Sequence, residues 1–124
     1  MSVKKILIIE DDSHLADIYG KKLTSEGFEV ITAKSGSAGL RMAKKTPPDL
    51  VLLDLLLPSK PGLEILKLLK ADEHLRTVPV IVTSNFGDKA TVRECLGSGA
   101  VDFIIKAQIN LSELVIRVKK AIKQ

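Results

Sequence analysis

Four short stretches of this 124-residue chain carry side chains suited to chemistry on a charged group: Glu10-Asp11-Asp12, Asp54, Thr83-Ser84 and Lys106. Taken singly, each has an ordinary explanation. Asp12 stands where a helix cap is expected, Asp11 reads as a loop acid, Thr83 as a strand-end hydroxyl, and Lys106 as a solvated lysine. Brought together they mean something else. Carboxylates crowded within a few ångströms repel one another and call for a cation, and one lysine does not neutralise several of them. A small hard dication does, and Mg²⁺ favours one or two carboxylates, water and phosphate oxygens. A carboxylate beside such an ion, a hydroxyl and an ammonium is equipped for phosphoryl transfer to aspartate. Asp54 would attack phosphorus, while Mg²⁺, Lys106 and Thr83 offset or hydrogen-bond the charge on the equatorial oxygens.

Whether these residues meet depends on the elements between them. Five apolar runs, at 6–9, 30–32, 50–53, 80–82 and 103–105, are aliphatic or β-branched without alternation, the pattern of strands buried on both faces of a parallel sheet. The gaps are long enough for crossover helices. Leu15, Ile18, Tyr19 and Leu23 form a helical stripe that Asp12 or Ser13 can cap and Gly27 ends. Leu111, Leu114, Val115, Val118 and Ile122 follow the 3.6-residue period. Helices are also predicted over 35–45, 62–71 and 88–98, separated by Pro- and Gly-bearing loops.

Strands alternating with helices predict an α/β fold, a doubly wound five-stranded parallel sheet with five helices. Right-handed crossovers favour the flavodoxin-like strand order 2-1-3-4-5. Ligands of such sheets bind beyond the carboxyl ends of the strands, near the reversal of strand order. Strands one, three, four and five are followed there by the acidic stretch, Asp54, Thr83-Ser84 and Lys106. Strand two ends in Ala33-Lys34 and adds nothing comparable. The order therefore predicts one converged patch.

The length suits one domain, residues 1–124. Hydrophobic residues make up 45%, charged residues 27% and aromatic residues 3%, so the core must be aliphatic. No apolar run approaches the roughly 20 residues of a membrane span, and the four apolar residues at 6–9 are too few for a signal peptide's apolar region. Cys95 is the lone cysteine; it reads as a buried apolar residue in a helix, and the chain as cytoplasmic. The net charge of +4 is carried by residues 106–124, where Lys106, Arg117, Lys119, Lys120 and Lys123 face only Glu113. That reads as a solvated basic helix rather than a nucleic-acid surface. His14 and His74 lack metal-ligand spacing and are expected on the surface.

The stretches Ile6-Leu7-Ile8-Ile9-Glu10-Asp11-Asp12, Asp54-Leu55-Leu56-Leu57-Pro58 with Gly62, Val82-Thr83-Ser84 and Phe103-Ile104-Ile105-Lys106 together resemble the receiver domains of bacterial two-component response regulators, over the whole chain. The resemblance implies that Asp54 is the phosphoacceptor, Asp11 a direct Mg²⁺ ligand, and Glu10 a ligand acting through water. It makes the backbone carbonyl of Leu56 a further ligand, Thr83 the switch hydroxyl and Lys106 the phosphate-binding lysine. Phe103 matches the aromatic that changes rotamer as Thr83 moves. Implied partners are a sensor histidine kinase or phosphotransfer protein, and a downstream effector or output domain reached through the surface of helix four, strand five and helix five. No effector domain follows residue 124, which fits either a stand-alone regulator or a receiver from a longer protein.

Two positions depart from the family pattern. Leu56, two residues past the acceptor, offers no polar side chain to water. Ala107 stands where the family usually places proline, commonly after a cis bond. A cis bond before alanine costs about 2.5–4 kcal/mol, so Lys106–Ala107 is expected trans, with the loop at 108–110 displaced or mobile. Two other readings compete. An aspartate-nucleophile phosphatase of the haloacid-dehalogenase class places an Asp-x-Asp pattern after its first strand, which the contiguous Glu10-Asp11-Asp12 lacks. A non-phosphorylated interaction module would not need the intact set of Asp11, Asp54, Thr83 and Lys106.

Overall fold

The computed structural model describes residues 2–123. Five strands, β1 (Lys5–Ile9), β2 (Glu29–Ala33), β3 (Leu50–Asp54), β4 (Val80–Ser84) and β5 (Asp102–Ile105), alternate with five helices, α1 (Ser13–Ser25), α2 (Gly36–Lys45), α3 (Gly62–Ala71), α4 (Lys89–Gly97) and α5 (Leu111–Ile122). All strand pairs are parallel, and their order is β2-β1-β3-β4-β5. The flavodoxin-like order and the five predicted helices are therefore as expected.

The continuous apolar runs serve two cores, because successive side chains of a strand point to opposite faces. Leu7, Ile9, Val51, Leu53, Val80 and Val82 pack with α2, α3 and Cys95 of α4 on one face. Ile6, Ile8, Leu50, Leu52, Ile81 and Ile104 pack with Tyr19 and Leu23 of α1 and Leu114, Val115 and Val118 of α5 on the other. Each fully buried aliphatic side chain contributes roughly 1.5–3 kcal/mol, and the central strands are buried along their whole length. The two edge strands differ from the prediction of burial on both faces. In β2 only Ala33 is buried and Thr32 is exposed; in β5 only Ile104 is buried. An edge strand has a neighbour on one side only, so its flanking helices cover it incompletely.

Four of the five helix starts are set by side-chain caps. Asp12 accepts from Leu15 N–H at 3.1 Å, Ser35 from Ala38 N–H at 3.2 Å, Asp88 from Thr91 N–H at 3.2 Å and Asn110 from Glu113 N–H at 2.8 Å. Gly27, at φ 95°, ends α1 in the left-handed conformation that glycine adopts without strain. Cys95 is buried, and His14 and His74 are exposed, as expected. No helix among the described residues is long and apolar enough to cross a membrane.

Candidate functional site

The strand order brings the predicted residues to one end of the sheet. Asp54 is the last residue of β3 and lies in register with Thr83 of β4. The strands are tied just beyond that pair, where Leu55 N–H donates to the Thr83 carbonyl at 2.8 Å. Glu10 follows β1 directly, its N–H donating to the Ala33 carbonyl of β2 at 3.0 Å. Lys106 follows β5. Glu10, Asp54 and Thr83 are 3%, 4% and 2% exposed, a depth that carboxylates reach only when paired.

Lys106 joins them. Its ammonium lies 2.8 Å from Glu10 Oε1 and 3.2 Å from Asp54 Oδ1. Asp54 Oδ1 also accepts from Leu56 N–H at 3.3 Å, and Glu10 Oε2 from Asp12 N–H at 3.2 Å. Glu10 Oε1, although beside the ammonium, receives no aligned hydrogen bond and is a buried acceptor left open. Burial pushes the Glu10 carboxyl up to about 7 against the pull of Lys106, with the Asp54 carboxylate adding to the rise. Burial alone would lower the Lys106 ammonium, but Glu10 and Asp54 outweigh it and hold the group above its ordinary value.

Carboxylate oxygens of Glu10, Asp11 and Asp54 come within 4.8 Å of one another. When all are ionised, three carboxylates against one ammonium leave two negative charges, which is the charge of one dication. The open Oε1 of Glu10, the exposed Asp11 at the rim and an all-oxygen donor set fit a small hard cation such as Mg²⁺. Among the described residues, no hydrogen-bond donor engages the Leu56 carbonyl oxygen, so it too is free for a ligand's role. Asp12, by contrast, is committed to capping α1.

The loop after β3 is positioned by Gly62. A Cβ at this residue would lie 2.6 Å from Leu55 Cα and collide with the Asp54 carbonyl oxygen. The bare backbone instead lets Gly62 N–H donate to the Leu55 carbonyl at 2.8 Å. That contact starts α3 directly beneath the site. Phe103 is half-buried against the β4–α3 core.

Lys106–Ala107 is trans, since the described residues contain no cis peptide bond. The stretch after it, expected displaced or mobile, has the following contacts. Residues Lys106–Gln108 form a 3₁₀ turn, Ile109 packs into the α1–α5 core, and Asn110 caps α5. An apolar anchor and a cap fix this loop without proline. Sequence reasoning also missed that the lysine pairs more closely with Glu10 than with Asp54, and that Gly87 packs under Phe103 and Ile105. A lone glycine in a loop carries no signal of what lies beneath it. A cavity of about 560 Å³ runs between α1 and β2 and shares only Glu10 with the site.

Comparison with known proteins agrees with this geometry. The model of the family described as response regulator receiver domain matches residues 6–119. The DNA-binding response regulator MtrA of Mycolicibacterium paratuberculosis is 35% identical over 121 residues, 98% of this chain and 52% of that protein. This chain thus spans about half the length of the MtrA relatives it matches. The polar-differentiation response regulator DivK of Brucella ovis is 33% identical over 119 residues, 94% of each chain. The solved structure of a CheY-like response regulator receiver domain protein from Methanospirillum hungatei superposes with a TM-score of 0.90 at 29% identity, over 98% of this chain and 95% of that one.

Proposed function

Because this chain belongs to the response regulator receiver domain family, a signalling family of two-component systems, we propose that Asp54 is the residue that takes its phosphoryl group, from a sensor histidine kinase or a phosphotransfer protein. One observation carries the assignment. Asp54 is a buried carboxylate at the end of the central strand, with an ammonium 3.2 Å away and a threonine in register beside it.

The ionised Asp54 attacks phosphorus in line with the donor nitrogen. A P–O bond forms to the carboxylate, the P–N bond breaks, and the departing imidazole takes its proton from solvent. Lys106 follows the charge from the carboxylate to the phosphoryl oxygens, and the Thr83 hydroxyl donates to another of them. Asp11 and Asp54, with the Leu56 carbonyl, would hold Mg²⁺ directly and Glu10 would hold it through water. Bound there, the ion supplies positive charge to the phosphoryl oxygens. Hydrolysis of the acyl phosphate by water returns Asp54 to its starting state.

Output follows from the same contacts. Movement of Thr83 toward the phosphoryl group frees space that Phe103 enters, which alters the surface of α4, β5 and α5 for a downstream effector or output domain. Residues 1–124 act as one cytoplasmic receiver domain, a phosphoacceptor rather than a metabolic enzyme. In this reading the chain binds neither nucleic acid nor membrane itself, and the basic face of α5 is solvated. The phosphatase reading gains nothing, because the site has no second acid placed two residues after its nucleophile. Incubation with acetyl phosphate and Mg²⁺ should add one acid-labile phosphoryl group by intact mass. A variant Asp54→Ala that still gains it would refute the assignment.

A further inference from the structure

Strand β2 is an edge of the sheet, and one of its sides is unpaired. Glu29 N–H donates to the Lys4 carbonyl, and the Ala33 carbonyl accepts from Glu10 N–H. Glu29, Ile31 and Ala33 therefore aim their backbone groups at β1. Because these groups alternate along a strand, the N–H and carbonyl of Val30 and Thr32 face outward. Edges are commonly guarded against pairing by proline, bulges or inward-pointing charges. The run Val30-Ile31-Thr32-Ala33 has none of these.

Beside this edge lies the cavity of about 560 Å³ between α1 and β2, lined among others by Ala16, Gly20, Val30 and Thr32. Gly20 stands inside α1, where glycine costs about 0.5–1 kcal/mol relative to alanine. Nothing within the chain demands it. A Cβ at Gly20 would meet only Val30 Cγ1, at an ordinary 3.6 Å, whereas one at Gly39 would collide with Ile9. The space over Gly20 is open to something outside the chain.

Charge selects the occupant. Near Gly20, α1 carries Asp17 and Lys21, 3.0 Å apart and both exposed. Strand β2 begins with Glu29 and is followed by Lys34. Each element thus bears an acid on one side of its midpoint and a base on the other, a pattern that complements itself when a second copy is turned by half a revolution. An axis through Ile31, perpendicular to the sheet, sets Val30 against Thr32 of the second copy in an antiparallel pair. It also lays two α1 helices side by side in opposite directions, with Asp17 across from Lys21 of the second copy. Helix α1 packs over β1 and β2, and paired strands stand about 4.8 Å apart. The two helices then meet at roughly the 8–10 Å of packed pairs, an approach that Ala16 and Gly20 suit.

We propose that the chain forms a two-fold dimer through the β2 edge and the α1 face bearing Ala16 and Gly20, joining two sheets into one. This interface does not involve Asp54, and it lies at the other edge of the sheet from β5.

Sedimentation equilibrium of the full chain should show monomers and dimers in exchange. Gly20→Gln fills the groove, and Thr32→Pro removes an outward N–H that no ladder bond uses. Each should raise the dimer dissociation constant at least tenfold. Asp17→Lys should do the same by facing like charges, and adding Lys21→Asp should return the constant to within threefold of wild type. The amides of Val30 and Thr32 should exchange slowly at high concentration and quickly on dilution, while Ile31 stays protected at both. A chain that is monomeric at its solubility limit overturns the proposal. So does a dimer that these variants leave unmoved, or a charge exchange that fails to rescue. Loss of dimers in Ile116→Asp but not in Gly20→Gln would put the interface on α5 and overturn it too. Asp17 and Lys21 are exposed side chains, so their exchange decides the matter even if Thr32→Pro folds poorly.

Discussion

The Lys106 ammonium lies closer to Glu10 Oε1, at 2.8 Å, than to Asp54 Oδ1, at 3.2 Å. The lysine is thus shared between Glu10 and the proposed acceptor. Burial of Glu10 has a cost that depends on pH, which the lysine only partly offsets. Glu10 is buried, and its carboxyl is pushed from 4.5 up to about 7. A group whose folded pKa is raised contributes stability that is fully present below the unfolded pKa and is lost as pH rises through the folded one. With a chelator present, stability should therefore fall between pH 4.5 and 7 by an amount on the order of 3 kcal/mol from this residue. Glu10→Gln should flatten that part of the profile in urea titrations. Parallel wild-type and variant profiles would show that Glu10 bears no such penalty.

Mg²⁺ should relieve the same repulsion. A ligand that binds only the folded state at a hundredfold excess over its dissociation constant adds about 2.7 kcal/mol. The melting temperature should climb with Mg²⁺ in the wild type and much less in Asp11→Ala, whose carboxylate stands at the exposed rim of the cluster. Equal shifts in the two proteins would remove Asp11 from the metal site.

The parts of the fold legible in the sequence were those set by short-range pattern. Apolar runs marked all five strands, and Asp12, one of the two cap candidates for α1, is its cap; the caps Ser35, Asp88 and Asn110 were not anticipated. Strand order then made Asp54, Thr83, Glu10 and Lys106 converge, because each immediately follows a strand or lies in its last two residues. Position within the sheet was harder to read. Val30-Ile31-Thr32 looks as buried as Leu50-Val51-Leu52, yet β2 is an edge and Thr32 is exposed. Contacts between distant residues left no local trace, such as Gly87 against Phe103. Nor did anything mark Ser59, whose φ of 71° puts a residue with a Cβ where glycine is the usual occupant.

Leu56 should slow the loss of the phosphoryl group. Its side chain stands exposed beside the acceptor and has no atom able to orient an attacking water, whereas an amide at this position has both donor and acceptor. Leu56→Asn, loaded with acetyl phosphate and then freed of excess donor, is expected to lose its phosphoryl group several-fold faster than wild type. An unchanged or slower decay in the variant would contradict this.

Gly62 ties the backbone at the phosphoacceptor to the start of α3, and its replacement should affect stability and metal binding together. The added Cβ of Gly62→Ala would meet the Leu55 Cα at 2.6 Å and the Asp54 carbonyl oxygen. Both are backbone atoms, which cannot rotate aside as a side-chain end can. Overpacking of this kind costs about 1–3 kcal/mol, and relief requires α3 to move away from the loop that carries the Leu56 carbonyl. Glycine to alanine inside a helix ordinarily gains about 0.5–1 kcal/mol, so the sign of the effect is itself diagnostic. Urea denaturation should show Gly62→Ala less stable than wild type. The Mg²⁺-induced rise in melting temperature should shrink as well, since Asp54 and the Leu56 carbonyl flank the shifted segment. A variant as stable as wild type with a full Mg²⁺ response would mean that the close approach at Gly62 does not position the site.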